Sequence, residues 1–237
     1  MNVLTFDIET IVDESRLALF DADLAKKAND SAKRKASDDD DDTSPSVLVQ
    51  REIDLLGATT PEYLQIIGMN LGVDEEAPRS GWVGEVRNGT PLTEVDLLQA
   101  FWTYARQAKH LVGFNCSRFD LPAIYVRSAL LGVEPSVYFY EFKPWDWKVI
   151  DLMHLRWPYR AGAQFQSLKA LRRILQLPTP EKYDGILDMT GADVGALWQA
   201  GDYEKCRLYG ESDVVTTREL ARHWQGYFFP VIMEKEA

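Results

Sequence analysis

At 237 residues and 46% apolar content the chain has enough material for one large domain with its own core, expected to run over residues 1–237. Its formal charge of −11 argues against a protein that grips duplex nucleic acid chiefly by coating phosphates with Lys and Arg, yet leaves room for one that meets phosphate through divalent cations, since such a centre itself needs clustered carboxylates. Cys116 and Cys206 are too few for a disulfide framework, no apolar run approaches the roughly 18 residues of a membrane span, and Met1–Asp7 lacks the layout of a secretion signal; a soluble protein of the reducing cytoplasm, without a membrane partner, is expected.

Asn2–Ile8 reads as a first strand, apolar until it meets its acids. From about Ala25 to Ser46 the pattern breaks: Lys26, Lys27, Lys33, Arg34 and Lys35 precede the unbroken run Asp38–Asp42, with no aromatic among them. Such like-charge blocks cannot bury enough surface to offset the entropy of ordering, so the stretch reads as an insertion whose second half is a mobile, solvated loop; contact of the basic half with nucleic acid is the alternative. Leu64–Val73 and Gly81–Arg87 read as strands that a turn across Asp74–Ser80 could join into a hairpin. Glu94–Gln107 carries Val95, Leu97, Leu98, Phe101, Trp102 and Ala105 at helical spacing behind Thr93 as N-cap. His110–Phe114 reads as a strand and Ser117–Leu131 as a helix stopped by Gly132. Phe165–Leu177 is a helix with Leu168, Leu171, Ile174 and Leu175 on one face, and Tyr203–Phe228 is a long closing helix. Short apolar runs alternating with amphipathic helices mark an α/β layer fold, a sheet covered by helices.

Three segments carry chemistry. In Phe6-Asp7-Ile8-Glu9-Thr10 the two acids are two apart on a strand and project to one face, where unpaired carboxylates repel unless a cation joins them; a solvent-exposed strand end is the competing reading. In Gly113-Phe114-Asn115-Cys116-Ser117-Arg118-Phe119-Asp120 a strand runs into a helix and places Asp120 in its first turn, where an acid also serves as a partner for the helix dipole. On the last helix, Tyr209 and Asp213 are four apart and share a face, an arrangement that also suits a packing pair with one hydroxyl hydrogen bond, while Glu211 points elsewhere, to the surface or behind the acids.

Taken jointly, D-x-E, N-x-x-x-x-D and Y-x-x-x-D in this chain order resemble the DEDD exonucleases of the Tyr-bearing, or DEDDy, type. The resemblance is greatest to the predicted exonucleases similar to the proofreading domain of family B DNA polymerases. It extends to Phe119-Asp120-Leu121-Pro122, Ile150-Asp151-Leu152-Met153, Ser167-Leu168, Lys182 with Asp184-Gly185, and Glu211-Ser212-Asp213-Val214. It implies a ribonuclease H-like fold, a central mixed sheet flanked by helices. It also implies 3′-to-5′ hydrolysis of phosphodiester bonds, releasing nucleoside monophosphates from a nucleic-acid 3′ end, with single-stranded DNA as the expected substrate. Two divalent cations, Mg²⁺ or Mn²⁺, would be held by Asp7, Glu9, Asp120 and Asp213. By the same resemblance Asp7 bridges both ions, Glu9 and Asp213 complete the one that activates water, Asp120 holds the other, and Tyr209 orients the water.

Thr10, Asn115 and Phe119 are carried over as neighbours of the terminal nucleotide, Phe119 with a core position as its alternative. Tyr138–Trp147, rich in aromatics, reads as a buried cluster or else a stacking surface for unpaired bases. His110, His154 and His223 read as structural. The rival classes are a non-catalytic nucleic-acid-binding module of the same fold, an RNA exonuclease, and an acidic mimic of DNA built on Asp38–Asp42. A proofreading role would need a replication or repair protein in trans.

Overall fold

The computed structural model describes residues 1–17, 22–38, 45–138, 146–155 and 166–233. Its centre is β1 (Val3–Val12), whose run of β-branched and aromatic residues suits a strand buried on both faces. On one side β1 pairs antiparallel with β2 (Leu64–Val73), from Leu4↔Val73 to Val12↔Leu64, and β2 pairs antiparallel with β3 (Arg79–Trp82). On the other side β1 lies parallel to β6 (His110–Gly113) over Val3–Thr5 only, and β6 lies parallel to β7 (Val149–Asp151). The order β3-β2-β1-β6-β7 makes the mixed five-stranded sheet of a ribonuclease H-like α/β fold.

Alternation along β1 sorts its two faces. Leu4, Phe6 and Ile8 enter a core with Leu97, Leu98, Phe101 and Trp102 of α4 (Glu94–Gln107) and Leu121 and Ile124 of α5 (Asp120–Leu131). α4 starts at a reciprocal capping box between Thr93 and Asp96, and α5 ends at Gly132 in the left-handed region, φ 69°. The opposite face, with Val3 and the acids, is covered by α9 (Tyr203–Trp224). α9 lies close to β2: a Cβ on Gly72 would stand 2.7 Å from Val214 Cγ1.

Several elements depart from the sequence expectation. β1 is longer than Asn2–Ile8. The expected strand Gly81–Arg87 divides into β3 and a small separate hairpin of β4 (Val86–Arg87) and β5 (Thr90–Pro91). The expected helix Ser117–Leu131 starts only at Asp120, because Asn115 adopts φ 64° and turns the chain. The closing helix stops at Trp224, two residues before Gly226 at φ 80°. Of the helix expected over Phe165–Leu177, α7 (Leu168–Leu175) is present behind Ser167 as N-cap, and Phe165 lies outside the described residues. The short β7 was not expected, nor were α1 (Glu14–Leu17), α6 (Leu152–Leu155) and α8 (Gly191–Gln199).

The charged stretch is helical in its basic half. α2 (Ala22–Asp38) buries Ala28 and Ala32, holds Lys26, Lys27 and Lys33 outward, and packs against α3 (Pro45–Thr59). α3 in turn seats Gly57 against Val12 of β1, where a Cβ would stand 2.5 Å from Val12 Cγ2. Small residues at i and i+4 give α2 a face that packs without large apolar side chains, which a reading by charge alone overlooks. Residues 39–44, which carry most of the acidic run, lie outside the described residues. Among the described residues no helix is long and apolar enough to cross a membrane.

Candidate active site

β1 outruns its parallel neighbour. After Thr5 no β6 residue pairs with it, and the backbone N–H of Ile8 donates instead to Asp120 Oδ1 (3.2 Å) at the start of α5. Asp120 is thereby fixed beside the strand segment that bears Asp7 and Glu9. On the β2 side the ladder shifts register between Glu9 and Thr10, with Ile67 as the extra residue, a bulge placed beside the two acids. From above, α9 brings Asp213. Carboxylate oxygens of Asp7, Glu9 and Asp213 all lie within 4.8 Å of one another, each residue half-buried. Asp120 lies outside that trio and almost fully buried, near enough that its charge acts on both Asp7 and Glu9.

Crowding sets the electrostatics. Burial first, then the charges of Glu9, Asp213 and Asp120, holds the Asp7 carboxyl well above the usual carboxylate range, and burial with Asp213 and Asp120 does the same to Glu9. Asp213 is pushed by burial up to about 6, against the pull of Lys169, the Tyr209 hydroxyl and Arg172. Asp120 is pushed by burial up to about 7, against two backbone N–H groups. Among the described residues no Lys or Arg forms an ion pair with any of the four. Four hard oxygen donors raised in this way fit a Mg²⁺- or Mn²⁺-type cation, whose charge would reverse the repulsion. Tyr209 is buried one turn from Asp213, and burial with the surrounding carboxylates, Asp213 first among them, drives its hydroxyl pKa further up, so it stays protonated as a donor.

The remaining expected site residues separate. Asn115 sits at the β6–α5 turn with its backbone N–H donating to Asp151 Oδ1 (2.9 Å) and its side-chain Oδ1 against His154 Nε2 (3.2 Å). Phe119 precedes α5, half-buried and packed on the core under α4. Thr10 Oγ donates to the carbonyl of Ala58 (2.7 Å), tying β1 to α3. Glu211 is not at the surface: it is buried, its Oε2 taken by Lys182 Nζ (3.1 Å) and the Tyr183 hydroxyl (3.2 Å), and it anchors a 3-10 turn at Glu181–Tyr183 to α9. Of the aromatic stretch, residues 139–145 lie outside the described residues; Tyr138 is partly exposed, and Trp147 packs beside Phe229 with ring centroids 6.3 Å apart.

Three groups had no assignment in the sequence. Asp151, at the end of β7, accepts from the backbone N–H groups of Asn115, Ser117 (2.9 Å) and Met153 (3.1 Å) and from the Ser117 hydroxyl, and so holds the turn that delivers Asp120. Lys169 of α7 stands with its Nζ 5.3 Å from the Tyr209 ring centroid and lowers the carboxyl pKa of both Glu9 and Asp213. Asn70 of β2 donates from Nδ2 to Asp7 Oδ2 (3.3 Å). Lys169 follows the Ser-Leu pair, a visible signal; Asn70 is one polar residue within an apolar strand and becomes meaningful only through its register with Asp7.

A family model described as a predicted 3′-5′ exonuclease related to the exonuclease domain of PolB matches residues 62–220. The chain belongs to that family. The matched span holds Asp120, Tyr209 and Asp213 of this PolB-like exonuclease domain, while Asp7 and Glu9 precede it. Among solved structures, the family B DNA polymerase of the hyperthermophilic archaeon Pyrobaculum calidifontis is similar with a TM-score of 0.56 at 15% identity, over 94% of this chain and 24% of the polymerase. The chain thus spans about a quarter of that polymerase. No curated protein matches it.

Proposed function

We propose that this PolB-like domain is a working, metal-dependent 3′-to-5′ exonuclease that hydrolyses the terminal phosphodiester bond of single-stranded DNA. The observation that carries the reading is the trio Asp7, Glu9 and Asp213, with oxygens within 4.8 Å of one another, and Asp120 beside it, four carboxylates gathered with no cation of the described residues paired to them. Asp7, Glu9 and Asp213 would hold one divalent cation and Asp7 with Asp120 a second. Bound there, the ions would supply an activated water and charge neutralisation at the departing 3′ oxygen. Tyr209, kept protonated, donates to Asp213 and orients the attacking water as a positioner rather than a base. Lys169 and Arg172, on a helix whose Leu168–Leu175 span contains no acid, draw the phosphate backbone toward an otherwise acidic face. Asn115 and Phe119 border the terminal nucleotide, and Thr10 serves it through its backbone, its hydroxyl being engaged with α3. The protein would act in the cytoplasm, with any proofreading role supplied to a replication or repair partner in trans.

Digestion of a 5′-labelled single-stranded DNA oligonucleotide with Mg²⁺ or Mn²⁺, beside Asp7→Ala and a chelator control, tests this. A ladder shortening from the 3′ end in the wild type alone is expected. No shortening on DNA or on a parallel RNA oligonucleotide would overturn the enzyme reading in favour of a binding module; shortening of RNA alone would change the substrate.

A further inference from the structure

Asp7 is held by one end of a chain of hydrogen bonds that starts at a fully buried tryptophan. Trp82 Nε1 donates to Ser80 Oγ (2.7 Å), Ser80 Oγ donates to Asn70 Oδ1 (2.6 Å), and Asn70 Nδ2 donates to Asp7 Oδ2 (3.3 Å). The donor and acceptor chemistry of the groups is consistent along the chain. Indole N–H is only a donor, so Ser80 Oγ accepts from it; the single hydroxyl proton of Ser80 then goes to the carbonyl end of the Asn70 amide; the amide N–H₂ is left facing Asp7. Trp82 and Asn70 are 0% exposed and Ser80 5%, so water does not compete with these links.

A second, independent feature marks the same amide. Gly210, immediately after Tyr209 on α9, lies directly over Asn70, and a Cβ at that position would overlap all three terminal atoms of the carboxamide. Gly in a helix interior costs about 1 kcal/mol relative to Ala. Here it leaves the space that the Asn70 side chain of β2 needs under α9.

We propose that Asn70 is a positioning residue for the metal centre, fixed by Ser80, Trp82 and the bare backbone of Gly210, which holds Asp7 Oδ2 and presents Oδ1 to the cations. Rotation of Asp7 out of this orientation is thereby resisted in the absence of metal, and the Asp7 site is preorganised. The proposal rests on the metal-dependent reading above, and goes beyond it in naming what orients the residue that both ions would share.

The test is Mn²⁺ titration of the full chain without nucleic acid, followed by electron paramagnetic resonance, with the Tm of each variant recorded. Asn70→Ala is expected to weaken Mn²⁺ binding about 10–100-fold, the span typical of groups that orient metal ligands. Ser80→Ala should weaken it less and Trp82→Phe least, an order set by distance along the chain from Asp7 and not by the Tm loss, which burial makes substantial for Trp82→Phe. Gly210→Ala should weaken Mn²⁺ binding in the wild type but add nothing to Asn70→Ala, where the amide it would strike is gone. Wild-type affinity in Asn70→Ala, or losses that simply follow Tm across the set, would overturn the proposal while leaving the exonuclease reading intact. Absence of Mn²⁺ binding by the wild type would overturn both.

Discussion

Just past the end of β1, Asp13 joins Glu94 on a single buried guanidinium: Arg127 makes a two-pronged contact with Glu94 (2.7 Å each) and a third with Asp13 (3.1 Å), while Glu94 Oε1 also accepts from Ile66 N–H (3.0 Å). A few residues earlier on the same strand, Asp7 and Glu9 meet Asp213 and Asp120 with no such partner among the described residues. With Arg16 Nε also 3.4 Å from Asp13 Oδ2, the Arg127 cluster balances its charge from within the chain and clamps α4, α5 and the sheet together. The other gathers its charge without that pairing among the described residues. Buried acids in the first serve the fold, since a charge removed from water needs a paired, hydrogen-bonded neighbour. In the second the same burial goes with raised carboxyl pKa values, a cost that a bound cation would relieve.

The comparison can be broken most severely at its two centres. Asp7→Asn should cut exonuclease activity by more than about a hundredfold, beyond the range of groups that merely orient ligands, while raising the Tm of the metal-free protein because a repelling charge is gone. About 1 kcal/mol of relieved repulsion corresponds to roughly 2–4 °C in a chain of this size. A fall in Tm would mean that the four acids are not in conflict. Arg127→Met should do the reverse, costing about 3–5 kcal/mol of stability by stranding Glu94, with the specific activity of the folded fraction preserved in urea-unfolding-matched assays. Loss of activity at intact stability would show that the two clusters are not separate in function.

A smaller effect concerns pH. Asp213 near 6 and Asp120 near 7 have folded values raised above the ordinary one, so in metal-free protein their contribution is fully present below pH 4 and is lost as pH rises through 6 to 7. Thermal melts of wild type minus Asp120→Asn should therefore show a difference that grows less favourable to wild type across that window. The stabilisation conferred by Mg²⁺ should grow over the same window, because the ligands must shed protons to bind. A Mg²⁺ effect independent of pH would contradict the raised values. The mildest expected change is that of Lys169→Ala, a several-fold rise in KM with kcat little altered and a weaker salt dependence, as befits a charge that draws substrate in without ligating the ions. An equal fall in kcat would place Lys169 in the chemistry itself.

Much of this was legible along the chain. Local rules predicted the strand carrying Asp7 and Glu9, α4 with its cap, the helix bearing Tyr209 and Asp213, and the α/β layer class, because period-2 and period-3.6 patterns, caps and D-x-E or Y-x-x-x-D spacings are properties of short segments. Short spacing also placed each pair of residues on one face. What only the tertiary structure decided was which faces meet: that β1 outruns β6 so that Asp120 can take the Ile8 N–H, that α2 rests on alanines against α3, that Glu211 turns inward to Lys182 and Tyr183, and that Asn70 lies in register with Asp7 under Gly210. Those facts depend on strand register and on the approach of helix to sheet, quantities set by packing between segments far apart in sequence, and no local pattern of residues carries them.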